Sequence, residues 1–147
     1  MSTRTIKIIV DIFMTLFIIL SFIRWDGTGG FIFHAAVGTV FALLMAVHLL
    51  LNRKWLPAVT KSIRAKKASA KTKRQYAVDI ALIAVWGAVM LSGFLAIPLI
   101  VGDDETFRIF GRIHAISGRV GAALIIVHVY QHLGQIRSYL GIKKRQT

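Results

Sequence analysis

The sequence predicts an all-α integral membrane protein: one four-helix transmembrane domain over 1–147, built as two parallel-repeat helical hairpins. Three observations carry this. The chain is 56% hydrophobic, with a mean hydropathy of +0.67, too apolar for an ordinary soluble domain. Four apolar runs approach the roughly 20 residues needed to cross a bilayer. And "HAAVGTVFALLMAVH" from His34 to His48 recurs as "HAISGRVGAALIIVH" from His114 to His128.

The first helix is expected at about Ile6–Ile23. Its apolar run is long for a signal peptide's core and no small-residue cleavage site follows, so it reads as a retained helix. The second is expected at about Phe31–Leu51, after the glycine pair of "GTGG", which breaks the chain between the two. A basic linker over 52–75 holds nine Lys/Arg and no acid. The third helix is expected at about Ala77–Val101, with Pro98 tolerable near its end. The fourth is expected at about Ile113–His132. Trp25 and Trp55 stand at helix ends, where interfacial aromatics belong.

Charge sets the topology. The net charge is +13, and the loops "RWDGTGG" and "GDDETFRIFG" hold four of the six acids. Arg4 and Lys7, the linker, and Arg137, Lys143, Lys144 and Arg145 are basic. Lys and Arg collect on the cytoplasmic side, so both termini and the linker are expected inside and the acidic loops outside. Anionic lipid headgroups, and not nucleic acid, are the expected contact of the basic segments. The absence of cysteine excludes disulfides, cysteine-ligated iron–sulfur clusters and thioether-linked haem.

Aligning 33–48 with 113–128 matches His34 with His114, Gly38 with Gly118 and His48 with His128, and "VDI" occurs at 10–12 and again at 78–80. Both halves begin inside, so the repeat is parallel. Fourteen helical residues rise about 21 Å and return to within about 40° of the same face. Each helix therefore carries two histidines on one face near opposite edges of the membrane, with His34 and His114 at the outer level and His48 and His128 at the inner. Imidazoles opposed in a helical bundle suit a planar cofactor held from both sides, and haem b is the expected group, two per chain. The outer iron would lie between His34 and His114, the inner between His48 and His128. Gly38 and Gly118, four residues after the outer histidines, let a flat ring approach the backbone, and Gly121, Gly87 and Gly93 add room. Arg119, Arg112 or Arg24 is a partner for an outer propionate, against a backbone carbonyl or a snorkelling side chain. Asp11 and Asp79 are either helix-end charges, the reading favoured for Asp11, or acceptors of a ligand's ring N–H. His132 is expected as an interfacial residue of the last turn, with a propionate or quinone contact as its alternative.

The H-x13-H pair on each of two parallel helices resembles the di-haem core of cytochrome b. The small size and the "VD…H-x13-H" order resemble the flavinylation-associated cytochrome family, over nearly the whole chain. That resemblance implies non-covalent haem b at the four histidines in a bacterial inner membrane. It also implies electron transfer across the membrane, often with an extracytoplasmic flavin-carrying protein; a membrane quinol/quinone pool is the expected exchange partner on the other side of that transfer. No nucleophile–base arrangement, phosphate loop or dinucleotide motif is present, so the chain reads as an electron-transfer subunit and not a complete enzyme. Two rivals stay open: a small membrane adaptor with structural histidines, and a transition-metal transport accessory that uses them as ligands, with Asp11 or Asp79 joining at the inner level.

Overall fold

A computed structural model describes residues 2–23, 27–96 and 105–139. Among them the regular structure is all helical: α1 (Thr3–Ser21), α2 (Gly27–Asn52), α3 (Trp55–Arg64), α4 (Ala70–Ala96) and α5 (Glu105–Tyr139). There are five helices where the sequence predicts four. The chain forms two compact units, Met1–Ala58 and Val59–Thr147.

In the first unit α1 and α2 are antiparallel. Lys7 and Asp11, early in α1, meet Asn52 and His48, late in α2, while Ser21 at the end of α1 meets His34. The second unit repeats this order: Gln75 and Asp79 meet Gln131 and His128, and Val89 meets His114. Both hairpins also start alike. The Ser2 hydroxyl accepts the Thr5 N–H at 3.2 Å, and the Ser69 hydroxyl accepts the Thr72 N–H at 3.2 Å. Each satisfies a backbone donor that a helix start leaves unpaired.

The packing seams are narrow. Val10, Ile18, Val37 and Phe41 are buried in the first unit, and Trp86, Val89 and Ser92 in the second. Large apolar side chains such as Ile12, Leu43, Leu91 and Ile126 stand outward at 60% exposure or more, as suits helices solvated by lipid. The two seams are filled in opposite ways. By the repeat register Ile18 corresponds to Trp86 and Phe41 to Gly121. In the second unit the indole of Trp86 covers Gly121 so closely that a Cβ there would lie 3.0 Å from the ring. Bulk has moved from the second helix of the hairpin to the first. Gly121 is therefore a packing glycine, and not the extra cofactor room expected of it.

Three helices are long and apolar enough to cross a membrane: Gly27–Asn52, Ala70–Ala96 and the Glu105–Ser138 part of α5. α1 has 19 residues and carries Arg4, Lys7 and Asp11. The glycine pair does not break the chain as expected: Gly29 and Gly30 lie inside α2, and the positive φ of 74° falls at Gly27, a position glycine tolerates. α5 begins eight residues before the expected start and runs on past His132. The expected end of the third helix at Val101, Pro98, Trp25 and Arg24 lie outside the described residues.

The fifth helix is α3, inside the expected linker. Pro57 sits in its first turn, where no intrahelical N–H is lost. Trp55, Leu56, Val59 and Ile63 fall within about 100° of the helix circumference, with Lys61 and Arg64 away from them. It stops in a paired bond, Lys66 N–H to Ile63 C=O and Lys67 N–H to Ser62 C=O, both 3.0 Å. Lys66 takes the left-handed conformation at φ 57° that this stop requires.

Candidate functional site: four anchored histidines

Each of the four paired histidines is held through the same ring nitrogen by the neighbouring helix of its own hairpin. His34 Nδ1 lies 3.1 Å from the backbone oxygen of Ser21. His114 Nδ1 lies 2.9 Å from that of Val89. His48 Nδ1 lies 2.7 Å from Asp11 Oδ1, and His128 Nδ1 lies 2.6 Å from Asp79 Oδ1. A carbonyl or carboxylate oxygen can only accept, so Nδ1 carries the proton and donates in all four. In the neutral ring this puts the lone pair on Nε2. A metal-ligating histidine is set up in this way: one nitrogen donates to a carboxylate or carbonyl, and the other is aimed and made more basic.

The acceptors follow the repeat. Asp11 precedes Ser21 by ten residues, as Asp79 precedes Val89. The sequence separations are 13 and 37 residues in the first unit and 25 and 49 in the second. Both differ by the same twelve residues, so the histidine–acceptor register is kept and only the connection between the helices lengthens. Sequence reasoning leaned towards a helix-end charge for Asp11. The first turn of α1 instead contains no acid, and Asp11 lies further along, where it accepts from His48. It is 52% exposed, against 16% for Asp79.

The glycines divide by role. A Cβ at Gly38, Gly118 or Gly87 would meet nothing within 4 Å, so each faces open space, as a flat group approaching the helix would need. Gly93 serves a histidine instead. A Cβ there would lie 3.0 Å from Cε1 and Nδ1 of His114, so the missing side chain is what lets the imidazole reach Val89. Arg119 and Arg112 are exposed and have no acidic partner among the described residues. Arg119 is five residues beyond His114, about 140° round the helix. It is therefore not on the face that carries His114.

His132 is more than an interfacial residue. Its ring lies 4.6 Å from that of His128, tilted by 38°. Its Nδ1 is 3.0 Å from Gln135 Oε1, and its Nε2 is buried without a hydrogen-bond partner. Ligand atoms of Asp79, His128 and His132 lie within 4.8 Å of one another. The first unit has no such cluster among the described residues, because Asn52 occupies the position of His132. The Lys7 ammonium donates to Asn52 Oδ1 at 2.7 Å, and Asn52 Nδ2 donates to the His48 carbonyl at 2.9 Å, 3.5 Å from His48 Nε2. In the second unit the residue corresponding to Lys7 is Gln75, whose amide donates to the Gln131 backbone oxygen at 3.1 Å.

Sequence reasoning singled out the histidines and left Asp79 open between a helix-end charge and an acceptor. It missed the two backbone acceptors, which no side chain advertises. They were legible only as positions ten residues after the aspartate of each "VDI". No protein-family model, curated protein or solved structure matches the chain.

Proposed function

We propose that the chain is a di-haem b membrane cytochrome with four crossing helices, α1, α2, α4 and α5, and both ends on the cytoplasmic side. His34 and His114 would hold the outer haem, and His48 and His128 the inner. The observation that carries the reading is the common Nδ1 anchor. Four imidazoles at one repeat spacing each donate Nδ1–H to an oxygen of the adjacent helix, which fixes the tautomer that ligates iron through Nε2. Packing alone demands no such uniform tautomer. Gly38 and Gly118, facing open space, fit a wide ring lying against both helices.

Haem bound in this way supplies one-electron redox chemistry, and the two levels divide the roughly 30 Å of hydrocarbon between them. The chain's own residues ligate, orient and bury. Ser21 and Val89 aim the outer imidazoles and Asp11 and Asp79 the inner ones, and Arg119 offers a guanidinium to an outer propionate. A membrane quinol/quinone and an extracytoplasmic redox protein are the proposed exchange partners, consistent with the resemblance to the flavinylation-associated cytochromes. Haem content per chain and a reduced-minus-oxidised spectrum of the purified protein test the reading: two b-type haems support it, and none refutes it.

One observation favours a second reading. Asp79, His128 and His132 form a two-imidazole, one-carboxylate set of the kind that binds zinc or other first-row metals. His128 serves either haem or this ion, so the two readings exclude one another at the inner level. Metal analysis beside the haem assay separates them. Stoichiometric zinc, copper or nickel without porphyrin absorption, lost in His132→Ala, supports the metal site.

A further inference from the structure

We propose that the groove between the start of α4 and the end of α5 binds the headgroup of an anionic phospholipid, a phosphodiester with hydroxyl donors beside it, of the phosphatidylglycerol type. The proposal rests on the membrane reading of α4 and α5 and is independent of haem.

The groove has a volume of about 370 Å³, and Lys71 and Arg74 reach it from α4 and Arg137 from α5. An adjoining pocket of about 330 Å³ shares Lys71, Gln75, Gln131 and Gly134 with it. Among the described residues no acid lines either space. The ion pairs among the described residues are those of His48 with Asp11 and His128 with Asp79, so none of these three side chains is paired with an acid among the described residues. Three cations around one concavity specify an anion. A phosphodiester suits them: guanidinium binds phosphate in a fork, and ammonium acts as a point charge.

Two features narrow the anion to a lipid. The Gln75 amide bonded to the Gln131 backbone oxygen ties the two helices together, one turn outward from the Asp79–His128 bond. This is where the apolar part of each helix gives way to Lys71, Arg74 and Arg137, the level of headgroups on a spanning pair. Tyr130, 74% exposed, and Leu133 belong to the same lining and offer apolar surface beside the cations, as an acyl chain needs. The hydroxyl requirement comes from Gln131, whose Oε1 is buried with no hydrogen-bond partner. That oxygen can only accept, and a phosphodiester has no hydrogen to donate to it. A headgroup glycerol hydroxyl can.

The test is a titration of the detergent-purified full chain with dioleoylphosphatidylglycerol, dioleoylphosphatidylcholine or inorganic phosphate, read by native mass spectrometry and by thermal shift. Phosphatidylglycerol is expected to bind at one site per chain and raise Tm, with neither comparison doing so. At about 1 kcal/mol for each basic residue, the triple change K71Q/R74Q/R137Q weakens binding on the order of 100-fold. Arg74→Gln alone, which is safer for folding, weakens it about fivefold. Removing three equal charges elsewhere, with R53Q/K54Q/K61Q, leaves binding intact. The proposal is overturned if phosphatidylcholine binds as well, if the two triple changes lose equally, or if inorganic phosphate reproduces the whole shift. The last result marks a free-phosphate site instead.

Discussion

The histidines at the two ends of each hairpin are anchored by different chemistry. Nearer the turn, Nδ1 of His34 and of His114 donates to a main-chain carbonyl, at 3.1 and 2.9 Å. Nearer the open end, Nδ1 of His48 and of His128 donates to a carboxylate, at 2.7 and 2.6 Å. A charged acceptor forms the shorter and stronger bond and pushes more electron density into the ring. The chain thus holds four imidazoles in two electronic settings, and the setting changes with position along each hairpin and not from one hairpin to the other. Two hairpins alone would need only packing to be alike. Agreement in which kind of oxygen each histidine faces is what the proposed pairing of His34 with His114 and of His48 with His128 calls for.

The largest effects break a level outright. His48→Ala and His128→Ala are each expected to halve haem content, from two per chain to one, and to remove the same spectral component. His34→Ala and His114→Ala remove the other component. If His48→Ala and His128→Ala removed different components, the assignment of ligands to levels would fail.

A smaller change sharpens the contrast between acceptors. Asp11→Asn and Asp79→Asn keep an acceptor but remove its charge. Each is expected to weaken haem retention at the inner level by about 10- to 100-fold, the usual cost of losing a partner behind a ligand. Both are expected to raise the reduction potential of the same component. Redox titration checks this, and opposite components responding would contradict it.

Glycine substitutions separate a cofactor from mere packing. Gly38→Ala and Gly118→Ala add a methyl that meets nothing within 4 Å in the protein. The apoprotein is expected to keep or gain stability, by up to about 1 kcal/mol, while haem content falls. Equal haem content would mean that no ring lies there. Gly93→Ala and Gly121→Ala instead drive a methyl to 3.0 Å from the His114 and Trp86 rings. Thermal unfolding should show each destabilised by about 1–3 kcal/mol, and only Gly93→Ala should disturb the outer component.

The smallest expected effect is Ser21→Ala. His34 uses the backbone oxygen of this residue, while the Ser21 hydroxyl bonds back to Ile18. Stability should stay within about 0.5 kcal/mol, with haem content unchanged.

This asymmetry also explains what the sequence could reveal. The inner acceptors are side chains, so "VDI" stands out twice in apolar surroundings. The outer acceptors are carbonyls of a serine and a valine, which share no side-chain chemistry, and only the backbone trace finds them. The long apolar helices and the histidine repeat were legible because 20-residue hydropathy and a fixed spacing survive substitution. α3 was not, because Pro57, Lys61 and Arg64 resemble linker composition until Pro57 is seen in the first turn. Gly121 was misread because its neighbour Trp86 lies in another helix, 35 positions away in sequence.

The central claim is that the four anchored histidines hold two haems. Pyridine haemochrome quantification per chain, together with the dithionite-reduced minus oxidised spectrum of the full chain purified from haem-replete cells, tests it most directly. The account predicts sharp b-type bands and two haems per chain. A chain that is folded, helical and free of haem would contradict it, and would leave the Asp79–His128–His132 metal site as the reading to pursue.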